Sequence, residues 1–243
     1  MIHIDKLVKQ FDGQDILRGV DATFEQGKTN LIIGQSGSGK TVLLKCIVGL
    51  HPIDGGAIYY DEVCFSSLDN SSRRGMRRDM GMIFQGGALF DSQTVEENVK
   101  FPLDLFSSQS EAEKRERVQF CLNRVNLNGA GRLYPSEISG GMIKRAAIAR
   151  AIVLNPKYLF CDEPNSGLDP KTSVVIDGLI AEITAEYNMT TIINTHDMNS
   201  VRRIGDTIIF IYQGNKLWQG TKEEIGRSDN RELNDYIFAA EVK

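Results

Sequence analysis

The stretch Gly34-Gln35-Ser36-Gly37-Ser38-Gly39-Lys40-Thr41 decides the fold, because it matches the pattern G-x-x-x-x-G-K-[ST] of a phosphate-binding loop. The glycines let the backbone turn tightly, so that successive N–H groups face the oxygens of a phosphate group. Lys40 supplies a compact positive charge for the β- and γ-phosphates. The Thr41 hydroxyl suits Mg²⁺, which prefers hard oxygen ligands. We therefore predict that this loop binds ATP with Mg²⁺.

The residues on either side of this loop support that interpretation. Residues 29–33 form a short apolar run that is typical of a buried strand in a parallel sheet. Residues 40–50 carry apolar side chains at helical spacing, and Gly49 and Pro52 end the pattern. A helix that begins at Lys40 directs the positive end of its dipole at the same anion. The alternative, a glycine-rich surface turn, requires neither a strand before it nor a helix after it.

The rest of the chain alternates between strand and helix patterns. Residues 2–8 and 20–24 alternate like paired strands, with a polar turn at 12–14. The alternation that follows favours an α/β fold with a parallel sheet, an antiparallel β subdomain at the N-terminus and an inserted α-helical subdomain. We predict further strands at 80–84, 157–161, 190–194, 207–212 and 216–219, and helices at 111–125, 139–154, 173–186, 222–226 and 232–240.

Composition limits the classes of function. The net charge of -4 argues against broad binding to the phosphate backbone of nucleic acids, which needs a basic surface. The N-terminus lacks the pattern of a signal peptide, and no apolar run approaches the ~20 residues that cross a bilayer. We therefore expect a cytoplasmic protein that reaches a membrane only through a partner. Cys46 and Cys161 lie in apolar runs, so we expect reduced core residues and no metal ligands.

Polar residues with hydrolytic chemistry follow three of the predicted strands. Asp162 and Glu163 end one strand, where Asp162 can reach a metal ion and Glu163 can act on the attacking water. Gln85 ends another strand and could contact Mg²⁺ and the water. His196 follows a third strand, where it could contact the γ-phosphate. An acidic pair at the end of a strand is common on its own, and lone histidines are usually structural, as we expect for His3 and His51. The functional interpretation therefore depends on the phosphate loop upstream.

A second anion site is predicted at Ser139-Gly140-Gly141-Met142, which begins a helix with no phosphate loop of its own. Exposed N–H groups at a helix N-terminus bind anions. A chain with a phosphate loop and a distant second anion site suggests a dimer in which each copy closes the nucleotide pocket of the other.

Taken in order, these motifs resemble those of the ATP-binding subunits of ABC transporters. The resemblance implies a RecA-like P-loop NTPase core over 1–85 and 155–220, a helical subdomain over 86–154 and a C-terminal helical tail over 221–243. It implies that Ser139 and Gly141 act on the partner's ATP, that 166–169, ending in Asp169, also serves the nucleotide site, and that Phe11 stacks on adenine. Two positions depart from the commonest family pattern. Val42 replaces a hydroxyl residue and Met142 replaces a glutamine.

Residues 39–45, 84–92, 139–142, 220–225 and 228–230 are similar to the ATPase of Mla-type lipid transporters. That resemblance implies phospholipid cargo, an integral membrane permease, an MCE-domain lipid-binding protein and a peripheral location on the cytoplasmic face of the inner membrane. Alternatives are an ABC ATPase for another cargo, such as an amino acid or metal importer, and a signalling ATPase that acts on cell-wall enzymes. A DNA-repair or translation ABC protein would carry a coiled-coil insertion or a second cassette, and this chain has neither.

Two surface features are predicted from the sequence. Residues 86–106 include apolar side chains that could form a groove for a permease helix or could pack inside the helical subdomain. The basic stretch 73–78 could lie near lipid headgroups, although we expect a solvated loop there. The apolar residues in question are Leu89, Phe90, Val95, Phe101 and Leu105.

Overall fold

Two β-sheets form the framework of the protein, whose computed structural model describes residues 1–241. The strands are β1 (Ile2–Phe11), β2 (Gln14–Phe24), β3 (Thr29–Ile33), β4 (Gly55–Tyr60), β5 (Val63–Cys64), β6 (Met80–Ile83), β7 (Tyr158–Asp162), β8 (Thr190–Asn194), β9 (Thr207–Tyr212) and β10 (Asn215–Gly220). The helices are α1 (Lys40–Ile47), α2 (Asn70–Arg77), α3 (Val95–Phe106), α4 (Glu111–Arg124), α5 (Gly140–Ile152), α6 (Pro170–Glu186), α7 (Met198–Ile204) and α8 (Arg231–Glu241).

The larger sheet has six strands in the order β10-β9-β3-β8-β7-β6. Five of its strands, β9 to β6 in that order, run parallel, and β10 pairs with β9 in the antiparallel direction. Every residue of β3, β7 and β8 is buried, as expected for strands with helices on both faces. The predicted strands 190–194 and 207–212 have the predicted bounds, because their apolar runs are interrupted sharply by polar residues.

The smaller sheet has four antiparallel strands in the order β2-β1-β4-β5. β1 pairs with β2 and β4, and both pairings are irregular around Lys6, which has a positive φ of 44°. Alternating side chains of this sheet, among them Ile4 and Phe24, pack in one core with Leu43 of α1 and Phe160 of β7. The N-terminal sheet therefore covers the helix that follows the phosphate loop.

Helices α3, α4 and α5 form a separate layer against the edge of the large sheet. Two of them begin with a capping box, in which Thr94 pairs with Glu97 and Ser110 pairs with Glu113. Buried side chains from all three helices, including Val99, Val118 and Ala147, join one core with β6 and β7. The predicted limits of the helical subdomain at 86 and 154 stay a prediction.

Two expectations are wrong. The basic stretch 73–78, predicted as a solvated loop, lies mostly in α2, whose N-cap Asp69 accepts a 2.7 Å hydrogen bond from the Ser72 amide. The Arg73 guanidinium lies 5.4 Å from the Phe65 ring, so part of the charge packs onto the core. The helix predicted at 222–226 is a short 3-10 turn at Ile225–Arg227, since Gly226 disfavours extension into a longer helix.

Other expectations are confirmed. Cys46 and Cys161 are free thiols inside the core, and burial raises the pKa of both. The last predicted helix, 232–240, is α8, while residues 242–243 of the predicted tail lie outside the described residues.

Within the described part of the chain, we find no helix with the length and apolar character needed to span a bilayer.

Two glycine-to-alanine substitutions should change stability in opposite directions. At Gly81, an added Cβ would lie 2.4 Å from the carbonyl oxygen of Ala151, so Gly81→Ala should lower the free energy of unfolding by about 1–3 kcal/mol. At Gly178, inside α6, an added Cβ meets no atom within 4 Å, so Gly178→Ala should raise it by about 0.5–1 kcal/mol through helix propensity. Urea unfolding of both variants measures the difference. Equal effects would contradict the close packing of β6 against α5.

Candidate nucleotide site

The phosphate loop joins β3 to α1 in a conformation that requires glycine at two positions. Gly34 has a φ of 151°, and a Cβ there would lie 2.1 Å from the Ile211 carbonyl oxygen of the neighbouring strand. Gly39 has a φ of 107°, and its Cβ would lie 2.9 Å from a methyl group of Leu17. The loop is therefore shaped by the strand beside it and by the N-terminal sheet above it.

Lys40 lies folded back into the loop that precedes it. Its Nζ donates hydrogen bonds to the carbonyl oxygens of Gly34 at 2.8 Å and Gln35 at 2.9 Å, and the residue is only 6% exposed. Burial lowers the pKa of the Lys40 ammonium, while the charges of Glu163 and Asp162 oppose that shift. A buried cation held inside a glycine-rich loop at the start of a helix suits a polyphosphate.

Thr41 and Asp162 meet across the gap between α1 and β7. The Thr41 hydroxyl donates to Asp162 Oδ1 at 3.2 Å, and the side-chain amide of Asn194 donates to the same oxygen at 3.1 Å. The Asn194 side-chain oxygen is buried and has no hydrogen-bond partner. This set of hydroxyl and carboxylate oxygens fits Mg²⁺, which commonly takes one or two protein oxygens together with phosphate oxygens. Among residues 1–241, no cluster of three His, Cys, Asp or Glu side chains could hold a metal ion alone.

Glu163 is the centre of a small polar cluster. Its backbone has a positive φ of 48°, which is uncommon for a residue other than glycine and costs on the order of 1–3 kcal/mol. The Glu163 amide donates to the Asn194 carbonyl at 3.0 Å, which holds this turn against β8. Its carboxylate lies 3.2 Å from His196 Nδ1 and 3.3 Å from Gln85 Nε2. The three predicted catalytic residues, from three separate loops, are therefore in contact.

Gln85 contacts the Glu163 carboxylate and the loop that follows it. Its Nε2 donates to Glu163 and to the Ser166 hydroxyl at 3.2 Å. The position suits orientation of a water molecule beside Glu163. Its role as a ligand of Mg²⁺ stays a prediction.

The loop after Glu163 is supported by buried polar groups that the sequence analysis missed. The Asn165 side-chain amide donates to Asp177 at 2.6 Å and to the Ser200 hydroxyl at 3.2 Å. Arg203 of α7 forms an ion pair with Asp177, which is only 1% exposed. These contacts join α6 and α7 beneath Glu163 and His196. These contacts join residues that are distant in the sequence, so no local sequence pattern identifies them.

Lys144 is a further buried cation that the sequence analysis missed. It lies in α5, is 5% exposed, and donates a hydrogen bond to the Gln85 backbone carbonyl. The one available signal was a charged side chain on a helix face made of alanine and isoleucine.

The second predicted anion site forms a separate cleft. Ser139 is the N-cap of α5, and its hydroxyl accepts a hydrogen bond from the Met142 amide at 3.3 Å. At Gly141 a Cβ would lie 2.8 Å from the Thr172 methyl group, so the helix tip lies against α6. This cleft is lined by Ser139, Gly140, Gly141, Leu168, Asp169 and Thr172, with no residue from 34–41. A second cleft, lined by Glu163, Ser166 and His196, shares Gly167 and Leu168 with it.

Asp169 and Phe11 are the remaining predicted binding residues. Asp169 caps α6, where its carboxylate accepts hydrogen bonds from the Thr172 hydroxyl and from the amides of Lys171 and Thr172, and these bonds lower its pKa. Phe11 ends β1 and is 40% exposed, with the His51 ring 5.3 Å away at its edge and Lys9 Nζ 4.9 Å from its centre. His51 thus has a packing partner, as expected, while contact of Asp169 or Phe11 with nucleotide stays a prediction.

Comparison with known proteins identifies the family. The family described as "ABC transporter" matches residues 17–166. The "Probable ribonucleotide transport ATP-binding protein mkl" of Mycobacterium bovis is 35% identical over 97% of the chain, and the "Methionine import ATP-binding protein MetN 2" of Pseudomonas entomophila is 38% identical over 93%. The chain spans 66% of the mycobacterial protein and 68% of the Pseudomonas protein.

A solved structure agrees with the sequence comparisons. The dimeric structure of MJ0796, described as a bacterial ABC transporter cassette, superposes with a TM-score of 0.84 at 32% identity, over 91% of this chain and 99% of that one. The same cassette is also known as a dimer in a post-hydrolysis state bound to ADP and Pi. The predicted α/β fold, with its mixed sheet and antiparallel β subdomain, is thereby confirmed. The chain belongs to the ATP-binding subunits of the ABC transporter family.

Proposed function

We propose that this chain binds ATP with Mg²⁺ and hydrolyses it to drive transport through a separate membrane permease. One observation carries the proposal: the phosphate loop, the Thr41–Asp162 pair and the Glu163–His196–Gln85 cluster lie at the same edge of the parallel sheet. The carboxyl ends of parallel strands are where such folds place their ligands.

The residues divide the work of hydrolysis by position. Lys40 and the amides of the loop hold the phosphates, and Thr41 and Asp162 would hold Mg²⁺, which when bound offsets charge on the phosphate oxygens. Glu163 accepts the proton of a water molecule whose oxygen attacks the terminal phosphorus, and the bond to the bridging oxygen breaks to leave ADP and phosphate. His196 and Gln85 orient the carboxylate and the water.

A second copy of the chain would complete this site. The Ser139 cleft lies apart from the phosphate loop of its own chain, so its helix tip is free to contact the γ-phosphate held by another copy. The dimers of the similar cassette MJ0796 support this arrangement. ATP that bridges two chains favours the closed dimer, and loss of the γ-phosphate lets the chains separate.

For the cargo we propose a phospholipid or related lipid, moved by a permease with an MCE-domain protein as a further partner, at the cytoplasmic face of the inner membrane. Support comes from the Mla-like residues Val42, Met142 and 84–92. The relatives' names instead refer to ribonucleotide transport and methionine import, so an amino acid importer is the second candidate.

An exposed apolar surface is available for a permease helix. Phe90 and Leu105 are 41% and 51% exposed, and the Phe90 and Phe101 rings pack edge to face at 4.9 Å. Val95 is fully buried and Leu89 packs against the core, so these two are structural. A few clustered apolar side chains on a surface suit a protein contact.

Glu163→Gln should preserve ATP binding and lower kcat by about 100- to 10,000-fold, because the amide cannot accept the proton of the attacking water. The variant should also accumulate as a dimer in ATP, visible by size-exclusion chromatography with light scattering. Lys40→Ala is the matched comparison. It should weaken ATP binding by about 10- to 100-fold instead, since a charged hydrogen-bond donor is lost. Normal turnover by Glu163→Gln would show that another group acts on the water.

Ser139→Arg should leave ATP binding to the phosphate loop unchanged, because no residue of that loop lines the Ser139 cleft. It should block closure of the dimer through bulk and charge at the helix tip. Turnover is measured for Ser139→Arg alone, and ATP-dependent dimerisation is measured for Ser139→Arg combined with Glu163→Gln. A Ser139→Arg variant with full ATPase activity would contradict a site shared between two copies.

The cargo is tested by purifying the chain with its membrane partners from native membranes in mild detergent. Phospholipid in the purified complex, detected by mass spectrometry together with an MCE-domain protein, is the expected result. Recovery of a permease with an amino-acid-binding protein and no enriched lipid would favour the importer and would leave the ATPase proposal intact.

A further inference from the structure

We propose that Lys144 is a positioning residue of the hydrolytic site, which attaches the loop of Gln85 to helix α5 so that Gln85 and Ser139 move together. The inference rests on the proposed ATPase function and adds a residue outside the motifs that define the site. Lys144 touches neither the phosphate loop nor the helix tip, and it acts through Gln85.

The contact itself is buried and charged. Lys144 is 5% exposed, and its ammonium donates to the backbone carbonyl of Gln85. Burial lowers the pKa of this ammonium, and the negative charge of Glu163 opposes that shift. A buried cation is costly unless it is paired, and a methionine would fill similar space without that cost. The charge is therefore best explained by what it holds in place.

The same loop is attached to α5 at a second point. The Arg150 guanidinium donates to the carbonyl oxygens of Gly87 at 2.8 Å and Ala88 at 2.6 Å. At Gly87 a Cβ would lie 2.8 Å from a methyl group of Ile143, so the loop rests directly on the helix. Residues 85–88 are thus fixed to α5 from both ends and behave as part of it.

Within one chain, this attachment connects the Ser139 tip of α5, which is proposed to contact the partner's nucleotide, with the Gln85 loop beside Glu163. α5 begins at the Ser139 cap, and Lys144 lies about 8 Å further along the helix axis. Lys144 holds the Gln85 backbone, and the Gln85 side chain contacts Glu163 at 3.3 Å. When the tip of α5 meets the partner's nucleotide and shifts, the contacts of Lys144 and Gln85 transmit that shift to the Glu163 carboxylate.

A matched control is available on the neighbouring helix. Arg117 of α4 donates to the carbonyl oxygens of Val153 and Ile152 at the end of α5, both at 2.9 Å. It also ties a cation to backbone carbonyls at α5, yet it has no contact with residues 85–88 or with Glu163 among its hydrogen bonds. Arg117→Gln therefore removes the same kind of contact without touching the Gln85 loop.

The experiment compares steady-state ATPase kinetics of the full chain and of its Lys144→Gln, Lys144→Met, Lys144→Arg and Arg117→Gln variants. We expect Lys144→Gln and Lys144→Met to lower kcat by about 10- to 100-fold with the KM for ATP changed less than about 3-fold, because binding by the phosphate loop is separate. Lys144→Arg should recover most of kcat, since it keeps a charged donor. Arg117→Gln should keep normal kcat whatever its effect on the melting temperature.

The inference is overturned if both neutral variants keep normal kcat, if KM rises in proportion to any loss, or if Lys144→Arg is no better than Lys144→Gln. Two neutral variants are used because methionine preserves the packing volume of the lysine side chain, whereas glutamine is shorter. If both neutral variants fail to fold and Lys144→Arg folds but is inactive, the proposal is also rejected. Glu163→Gln, measured in parallel, distinguishes failure of the proposed ATPase function from failure of the inference about Lys144. Normal turnover by Glu163→Gln rejects the proposed function. Loss of turnover in Glu163→Gln, together with normal turnover in the Lys144 variants, rejects this inference alone.

Discussion

The buried contact between the Lys40 ammonium and the carbonyl oxygens of Gly34 and Gln35 is the constraint on which the rest of the structure depends. It requires a loop that doubles back on itself, and that loop requires glycine where Gly34 passes the Ile211 carbonyl. This close approach follows from the pairing of β3 with β9, and β8 pairs with the other side of β3. The central strand, the tight loop and the short helix α1 are therefore consequences of one another.

Parallel pairing then explains how the other polar groups reach the loop. β7 and β8 run in the same direction as β3, so Asp162, Glu163 and Asn194 emerge at the end of the sheet where α1 begins. The left-handed backbone at Glu163 turns its carboxylate toward Gln85 and His196. Beneath this turn, the Asn165–Asp177–Arg203 contacts supply the charged hydrogen bonds that hold a strained loop in place.

The helical layer plays a different part from the sheet. Its helix α5 begins at the Ser139 cap and, through Lys144 and Arg150, supports the Gln85 loop along its length. A single rigid element thus touches both the outer surface of the chain and the loop beside Glu163. This arrangement suits an ATPase whose chemistry waits for a second copy, and it leaves the exposed apolar surface near Phe90 on a separate part of the chain.

Local patterns in the sequence determined the phosphate loop, the strands Thr29–Ile33, Thr190–Asn194 and Thr207–Tyr212, and the choice of Glu163, Gln85 and His196 as neighbours. These features follow from short-range rules: buried parallel strands are continuous apolar runs, and polar residues at their ends meet. Only the tertiary structure decided that most of 73–78 lies in helix α2, with Arg73 packed on Phe65. It also decided that Lys144, Asn165 and Asp177 support the site. The physical reason is that burial and pairing of these groups depend on residues far away in the chain, and no spacing along the sequence encodes those contacts.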